Sequence, residues 1–100
     1  MHDVPDPQPG VEIYMPDELE PGAYANALLP WHTAHEFTLD FAALQRPAED
    51  ESGSLVVRAR VVTRVKIAAT VIFDVIRVLN EDMTTYERRY GEIRNPEDDR

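Results

Sequence analysis

Apolar and polar residues alternate with a period of two in the stretch LVVRARVVTRVKI, residues 55–67. Small or apolar side chains occupy every second position from Val57 to Ile67. The intervening positions carry four of the ten basic residues of the chain: Arg58, Arg60, Arg64 and Lys66. Because successive side chains of a strand point to opposite faces, the pattern predicts a long strand with a core face and a basic face.

The stretch EFTLDF, residues 36–41, alternates in the same way. Phe37, Leu39 and Phe41 fall on one predicted face, whereas Glu36 and Asp40 fall on the polar one. We expect this strand to be the antiparallel neighbour of the basic strand, where each pair of opposite charges would contribute roughly 0.2–1 kcal/mol.

Two shorter stretches also resemble strands. VEIYM (residues 11–15) alternates, and AYANALL (residues 23–29) follows a segment rich in turn residues. PWHTAH is interpreted as a turn or bulge, and residues 42–54 as a long acidic loop. The predicted sheet is an antiparallel meander of about four strands.

The period changes from two to a helical one after Ala68. Apolar residues then recur at alternating spacings of four and three, as on one side of a helix: Ile72, Ile76, Leu79, Met83, Tyr86 and Tyr90. Thr70 is the expected N-cap, and Gly91 is placed to end the helix. The predicted fold class is α+β, an antiparallel β-meander of about four strands followed by one long C-terminal helix packed on one face. Residues 11–93 would form one domain, with disordered tails at 1–10 and 94–100.

The first half of the helix is apolar on more than one side, because Val71, Phe73, Val75 and Val78 flank the seam. One sheet face cannot cover so wide an arc, and a two-fold homodimer is the simplest cover. The predicted dimer interface comprises Ile72, Phe73, Ile76, Leu79 and Met83. The alternative is that the N-terminal strand covers the second side of the helix within one chain.

Composition restricts the function classes. The formal net charge of -9 disfavours binding to nucleic acid or to anionic membranes, and neither is predicted as a partner. The chain has no cysteine, no signal-peptide pattern and no apolar run long enough to span a bilayer, so a cytoplasmic location is expected.

No residue is predicted to be catalytic or metal-binding, and no cofactor is expected. His32, His35 and Glu36 are close in sequence, but their spacing does not match the usual helical zinc signature. Ser52 and Ser54 lack a positioned base, and the four glycines form no phosphate-binding loop. The expectation is therefore a protein without enzymatic activity.

The basic strand face has two interpretations. The cations are either balanced by Glu36 and Asp40, or they form a surface for an acidic partner. Trp31, which follows Pro30 in a predicted turn, could add an aromatic contact. The candidate partner-binding surface is Arg58, Arg60, Arg64, Lys66 and Trp31.

Three motifs in order resemble a small bacterial and archaeal family known only as a domain of unknown function. They are Tyr24-Ala25-Asn26, the strand Glu36-Phe37-x-Leu39-Asp40-Phe41, and Tyr86-Glu87-x-x-Tyr90-Gly91-x-Ile93. The resemblance covers about residues 18–93 and implies a short strand-rich domain that ends in a helix and forms oligomers, with no known activity. Members of that family often have Ser-Pro where this chain has Ala68 and Ala69, which suggests a helix adapted to a larger apolar contact.

The function expected from these features is a homo-oligomeric adaptor or accessory subunit that binds a protein partner. The alternative is a holdase-like chaperone or peptide-binding protein. A small metal-dependent or ligand-binding enzyme would require a pocket between subunits.

Overall fold

The structure is a computed structural model that describes residues 9–95. Five strands precede a single long helix, which confirms the predicted α+β class. The strands are β1 (Ala27–His32), β2 (Glu36–Leu44), β3 (Ala48–Glu49), β4 (Leu55–Val56) and β5 (Ala59–Ala68). A 3-10 turn, Ala69–Val71, leads into helix α1, Ile72–Tyr90.

The main sheet has three antiparallel strands in the order β1-β2-β5. A short turn joins β1 to β2, and the Thr33 hydroxyl accepts hydrogen bonds from the N–H groups of His35 (3.2 Å) and Glu36 (3.3 Å). Between β2 and β5, the small strands β3 and β4 form a separate hairpin. The predicted pairing of EFTLDF with the basic strand is therefore confirmed.

Two predicted strands differ from the observed ones. VEIYM is not a strand, and the strand predicted at residues 23–29 instead runs from Ala27 through Pro30 and Trp31 to His32. Pro30 is tolerated because β1 lies at the sheet edge, where a missing N–H need not interrupt the ladder. The turn predicted at residues 30–35 is consequently shorter and covers Thr33 to His35.

A β-bulge interrupts the regular alternation of β5. Phe41 pairs with Thr63 and the next residue, Ala42, pairs with Val61, so Val62 is the extra residue. An extra residue reverses which side chains of the strand point to each face. Arg60 therefore pairs with Ala43, on the face opposite to Asp40, and the predicted single basic face is wrong.

Helix α1 has 19 residues and a length of about 28 Å. Asp74 lies in its first turn and Arg88 and Arg89 in its last, which suits the helix dipole. The predicted cap at Thr70 is wrong, because Thr70 lies within the 3-10 turn and no side chain caps the helix start. Gly91 ends the helix with φ 96° and donates its N–H to the carbonyl of Glu87 at 2.9 Å.

The helix does not pack on the sheet. Its main contacts outside the helix itself are with the adjoining 3-10 turn, and none of its residues is buried. This corrects the expectation of a helix covering one sheet face. The three connecting residues already form the 3-10 turn, so the chain passes from β5 into α1 without an intervening loop. Among residues 9–95, Ala42 is the sole buried hydrophobic residue.

The predicted tails, 1–10 and 94–100, lie mostly outside the described residues. No helix within residues 9–95 combines the length and apolar character that crossing a bilayer requires.

Candidate interaction site

The two faces of the three-stranded sheet differ in chemistry, and each is named here after a residue of β2. The Asp40 face carries the side chains paired around Asp40: Leu29, Trp31, Thr38, Asp40, Ala42, Val61, Arg64 and Lys66. The Leu39 face carries those paired around Leu39: Leu28, Pro30, His32, Phe37, Leu39, Phe41, Thr63, Val65 and Ile67, with Arg60 and Ala43 at one end.

An ion pair occupies the centre of the Asp40 face. Arg64 donates from Nε to Asp40 Oδ1 at 2.7 Å and from Nη2 to Oδ2 at 2.9 Å. Trp31 donates from Nε1 to Asp40 Oδ2 at 3.4 Å, and the guanidinium carbon of Arg64 lies 5.7 Å from the centroid of the Trp31 ring. The three side chains, from three different strands, form one cluster.

Burial on this face reverses the sequence-based expectation. Thr38, Asp40 and Ala42 are the buried residues of β2, whereas Phe37, Leu39 and Phe41 on the other face are only half-buried. Small side chains on the central strand are covered by long neighbours on β1 and β5, such as Trp31 and Arg64. Asp40 is therefore a buried, ion-paired residue of the sheet, although its position in the pattern had suggested a solvated one.

The electrostatics of the cluster follow from its hydrogen bonds. Those donated by Arg64 hold the pKa of Asp40 below its ordinary value of 3.8, against the opposing effect of burial. The same contact raises the pKa of Arg64. Both groups stay charged at neutral pH, so the cluster is a fixed ion pair rather than a proton donor or acceptor.

Lys66 is the more available cation on the Asp40 face. Its Nζ lies 3.7 Å from Glu36 Oε1, and both side chains are exposed, so this pair contributes little to stability. The structure thus confirms that Glu36 and Asp40 face Lys66 and Arg64, as the cross-strand interpretation predicted.

The candidate partner-binding residues are only partly brought together. Trp31, Arg64 and Lys66 share the Asp40 face, where Trp31 is 46% exposed. Arg60 lies on the Leu39 face because of the bulge. Arg58 precedes β5 and lines an open depression beside the acidic hairpin tip.

The hairpin tip is ordered by one carboxylate. Asp50 Oδ1 accepts hydrogen bonds from the Ser52 hydroxyl (2.7 Å), the Ser52 N–H (2.9 Å) and the Ser54 N–H (2.9 Å). These bonds, the Ser52 hydroxyl first, lower the pKa of Asp50. Ser52 therefore takes part in the hydrogen bonding of this turn. Within the described residues, no group of three His, Cys, Asp or Glu side chains could hold a metal ion.

The Leu39 face is apolar and uncovered. Leu28 on β1 is 50% exposed and Val65 on β5 is 39% exposed, and Leu39 on the central strand between them is half-buried. His32 lies beside Phe37, with ring centroids 5.5 Å apart, at one end of this face.

The predicted dimer-interface residues of α1 are similarly uncovered. Phe73 is 80% exposed, Leu79 is 64% and Ile76 is 51%, with Met83 exposed and Ile72 half-buried. At 100° per residue, the apolar residues from Val78 through Ile72 to Phe73 span about 220° of the helix, and this arc also contains Asn80, Asp82, Glu87 and Arg89. The opposite side is a polar ridge, in which Arg77 pairs with Asp74 at 3.3 Å and Glu81 at 3.0 Å.

Polar residues of the first and third sequence motifs have structural roles that the pattern alone did not reveal. Asn26 Oδ1 accepts from the N–H of Leu44 at 2.9 Å, which fastens the chain before β1 to the end of β2. Glu87 Oε2 accepts from the N–H of Ile93 at 3.0 Å, beside the chain reversal at Gly91. Each of these side chains accepts a hydrogen bond from a backbone N–H group. Hydrophobic periodicity does not indicate such hydrogen bonds.

Comparison with known proteins identifies a family and no activity. No curated protein and no solved structure matches the chain. A family model described as a protein of unknown function (DUF3467) matches residues 1–95. Because that match covers nearly the whole chain, the protein belongs to the DUF3467 family of unknown function.

Proposed function

We propose that this protein is a non-enzymatic, homo-oligomeric interaction module, an adaptor or accessory subunit of the cytoplasm. Helix α1 joins it to a second copy, and the Asp40 face receives a protein partner around Trp31 and Lys66. The observation that carries the proposal is the near absence of buried apolar side chains within residues 9–95.

The energetic argument concerns the helix and the Leu39 face together. Burying a side chain such as Phe, Leu or Ile contributes roughly 1.5–3 kcal/mol. The net stability of a small domain is only about 5–15 kcal/mol, so several such side chains left in water forfeit most of it. Ile76, Leu79 and Phe73 are more than half exposed in one chain, and a second copy supplies the missing cover.

The proposed partner surface is defined by shape as much as by charge. Asp40 holds Arg64 against the Trp31 ring, which gives a fixed aromatic and cationic platform. Tryptophan and arginine are the side chains most enriched among residues that dominate binding energy. Since Glu36 and Asp40 offset the cations, recognition would depend on the exposed surface of Trp31 and on Lys66.

Self-association is tested by placing charge on the apolar arc. The double variant Ile76→Asp/Leu79→Asp should lose the oligomer and sediment as a single chain or unfold. Thr84→Asp, on the polar side of the same helix, is the matched control and should keep the wild-type mass. An unchanged mass for the double variant in light scattering would contradict the proposal.

The partner surface is tested by co-purification from the native host. Trp31→Ala should lose a defined partner while retaining the oligomer, whereas Arg58→Ala should retain both. Equal recovery of the partner with Trp31→Ala would remove the Asp40 face from the proposal.

A holdase-like chaperone or peptide-binding protein is the second candidate. The Leu39 face and the free edge of β5, ten residues long, favour it, because exposed apolar sheets and unpaired strand edges accept extended peptides. Such a protein would suppress the aggregation of many unrelated unfolded clients. An adaptor would leave their aggregation unchanged.

A further inference from the structure

We propose that the dimer is formed reciprocally, with helix α1 of each copy lying on the Leu39 face of the other. This arrangement rests on the proposed self-association and specifies its geometry. In this arrangement a second copy covers two exposed surfaces at once, the apolar arc of the helix and the apolar Leu39 face of the sheet.

The connection between β5 and α1 directs the helix away from its own sheet. The N–H of Ala69 donates to the carbonyl of His35 at 3.0 Å, which fixes the start of the 3-10 turn at the sheet end. Only Ala69, Thr70 and Val71 separate β5 from α1, and all three are already in the turn. Because the connection is already helical, α1 continues beyond the end of its own sheet without packing on it. A short connection of this kind favours exchange of an element between protomers.

The two surfaces match in length. Strand β2 has nine residues and extends roughly 30 Å, while the 19 residues of α1 extend about 28 Å. A single helix placed along the sheet would therefore cover the central strand from end to end.

The area is what a stable dimer requires. Three strands spaced about 4.8 Å apart give the Leu39 face roughly 400 Å². Half the surface of a helix about 10 Å wide and 28 Å long adds roughly 400 Å². The total of roughly 800 Å² per chain equals the usual contribution of each partner to a standard-sized interface.

Polarity also agrees with this placement. The Leu39 face presents Leu28, Leu39, Val65 and Ile67 with Thr63, and its cation, Arg60, lies at one end. The polar ridge of α1 around Arg77 would remain in water, opposite to the side that contacts the sheet. The Asp40 face would stay open for a partner.

Cysteine cross-linking tests the arrangement directly, because the chain has no cysteine of its own. One chain carries Val65→Cys on the Leu39 face, a second chain carries Leu79→Cys on the helix, and the two are refolded together and treated with a short bis-maleimide. Lys66→Cys, the neighbouring position on the Asp40 face, replaces Val65→Cys as the matched control. Leu39→Cys is a second probe of the Leu39 face if Val65→Cys does not fold.

The expected result is a band shift from one-chain to two-chain mass for the Val65→Cys and Leu79→Cys mixture, absent with Lys66→Cys. A dimeric particle without that shift, for both probes of the Leu39 face, would overturn the reciprocal arrangement and leave self-association standing. A single-chain mass for the unmodified protein would overturn both the reciprocal arrangement and self-association. A chain carrying both Val65→Cys and Leu79→Cys that cross-links within itself would show that the helix folds onto its own sheet, which would also overturn the arrangement.

Discussion

Arg64 and Asp40 face each other across β5 and β2 and form two parallel hydrogen bonds of 2.7 and 2.9 Å. Asp40 is 6% exposed and Arg64 lies against the Trp31 ring, so the pair joins all three strands of the sheet. In a domain with one buried hydrophobic residue among residues 9–95, this polar cluster adds a side-chain link to the backbone ladders that join the three strands.

A double-mutant cycle measures that link. Asp40→Asn and Arg64→Gln should each lower the free energy of unfolding, because each leaves its partner without a complementary charge. The double variant should be less destabilised than the two single changes added together. Strict additivity in urea unfolding would show that the two side chains do not stabilise each other.

The same pair predicts a dependence of stability on acid. The pKa of Asp40 is lower in the folded chain than its ordinary value of 3.8, so the unfolded chain takes up its proton at a higher pH. The stabilisation is complete well above pH 3.8 and is lost as the pH falls through the folded-state pKa. Asp40→Asn should flatten the acid limb of a stability-against-pH curve.

Asp50 provides the comparison for that experiment, because its pKa is also lowered, by the hydrogen bonds of the hairpin tip. Asp50→Asn should remove a separate part of the acid dependence and leave the Asp40 part intact. An acid limb identical in the wild type and Asp40→Asn would contradict the assignment.

The bulge at Val62 predicts that charge reversal destabilises the sheet to different extents at two arginines four positions apart, Arg60 and Arg64. Arg64→Glu places a second carboxylate beside Asp40 and should destabilise the sheet. Arg60→Glu, opposite Ala43, adds no such repulsion and should change the midpoint of urea unfolding much less. Equal losses for the two variants would argue against the bulged register.

Gly91 ends α1 with φ 96° and ψ 171°, a backbone conformation that is nearly restricted to glycine. Gly91→Ala should therefore cost about 1–3 kcal/mol and fray the last helical turn. Thermal unfolding and the helical circular dichroism signal measure both effects. Wild-type stability in this variant would show that the turn after Glu87 adopts another conformation.

Much of this architecture is predictable from side-chain periodicity. Helix α1, Ile72–Tyr90, and the pairing of β2 with β5 follow from it, because apolar residues recur with a helical period in α1 and alternate along the two strands. The bulge could not be predicted in this way, because the run of Val, Thr and Arg residues around Val62 does not indicate an extra residue in the strand. Its consequence is the separation of Arg60 from Arg64.

The two strand predictions that differ from the structure were wrong for another reason. VEIYM alternates like a strand but has no strand beside it, and alternation alone supplies no partner for its backbone groups. Pro30 suggested an end to β1, yet an edge strand tolerates proline. Trp31 was therefore expected in a turn and instead lies on the Asp40 face, where it can donate to Asp40.

The central claim is that one chain is incomplete and that a second copy covers its apolar helix and sheet. Sedimentation equilibrium at micromolar concentration, combined with thermal unfolding over a range of concentrations, tests it most directly. We predict a mass of at least two chains and an unfolding midpoint that rises with protein concentration. A compact, stable particle of 11.4 kDa whose midpoint is independent of concentration would contradict the claim.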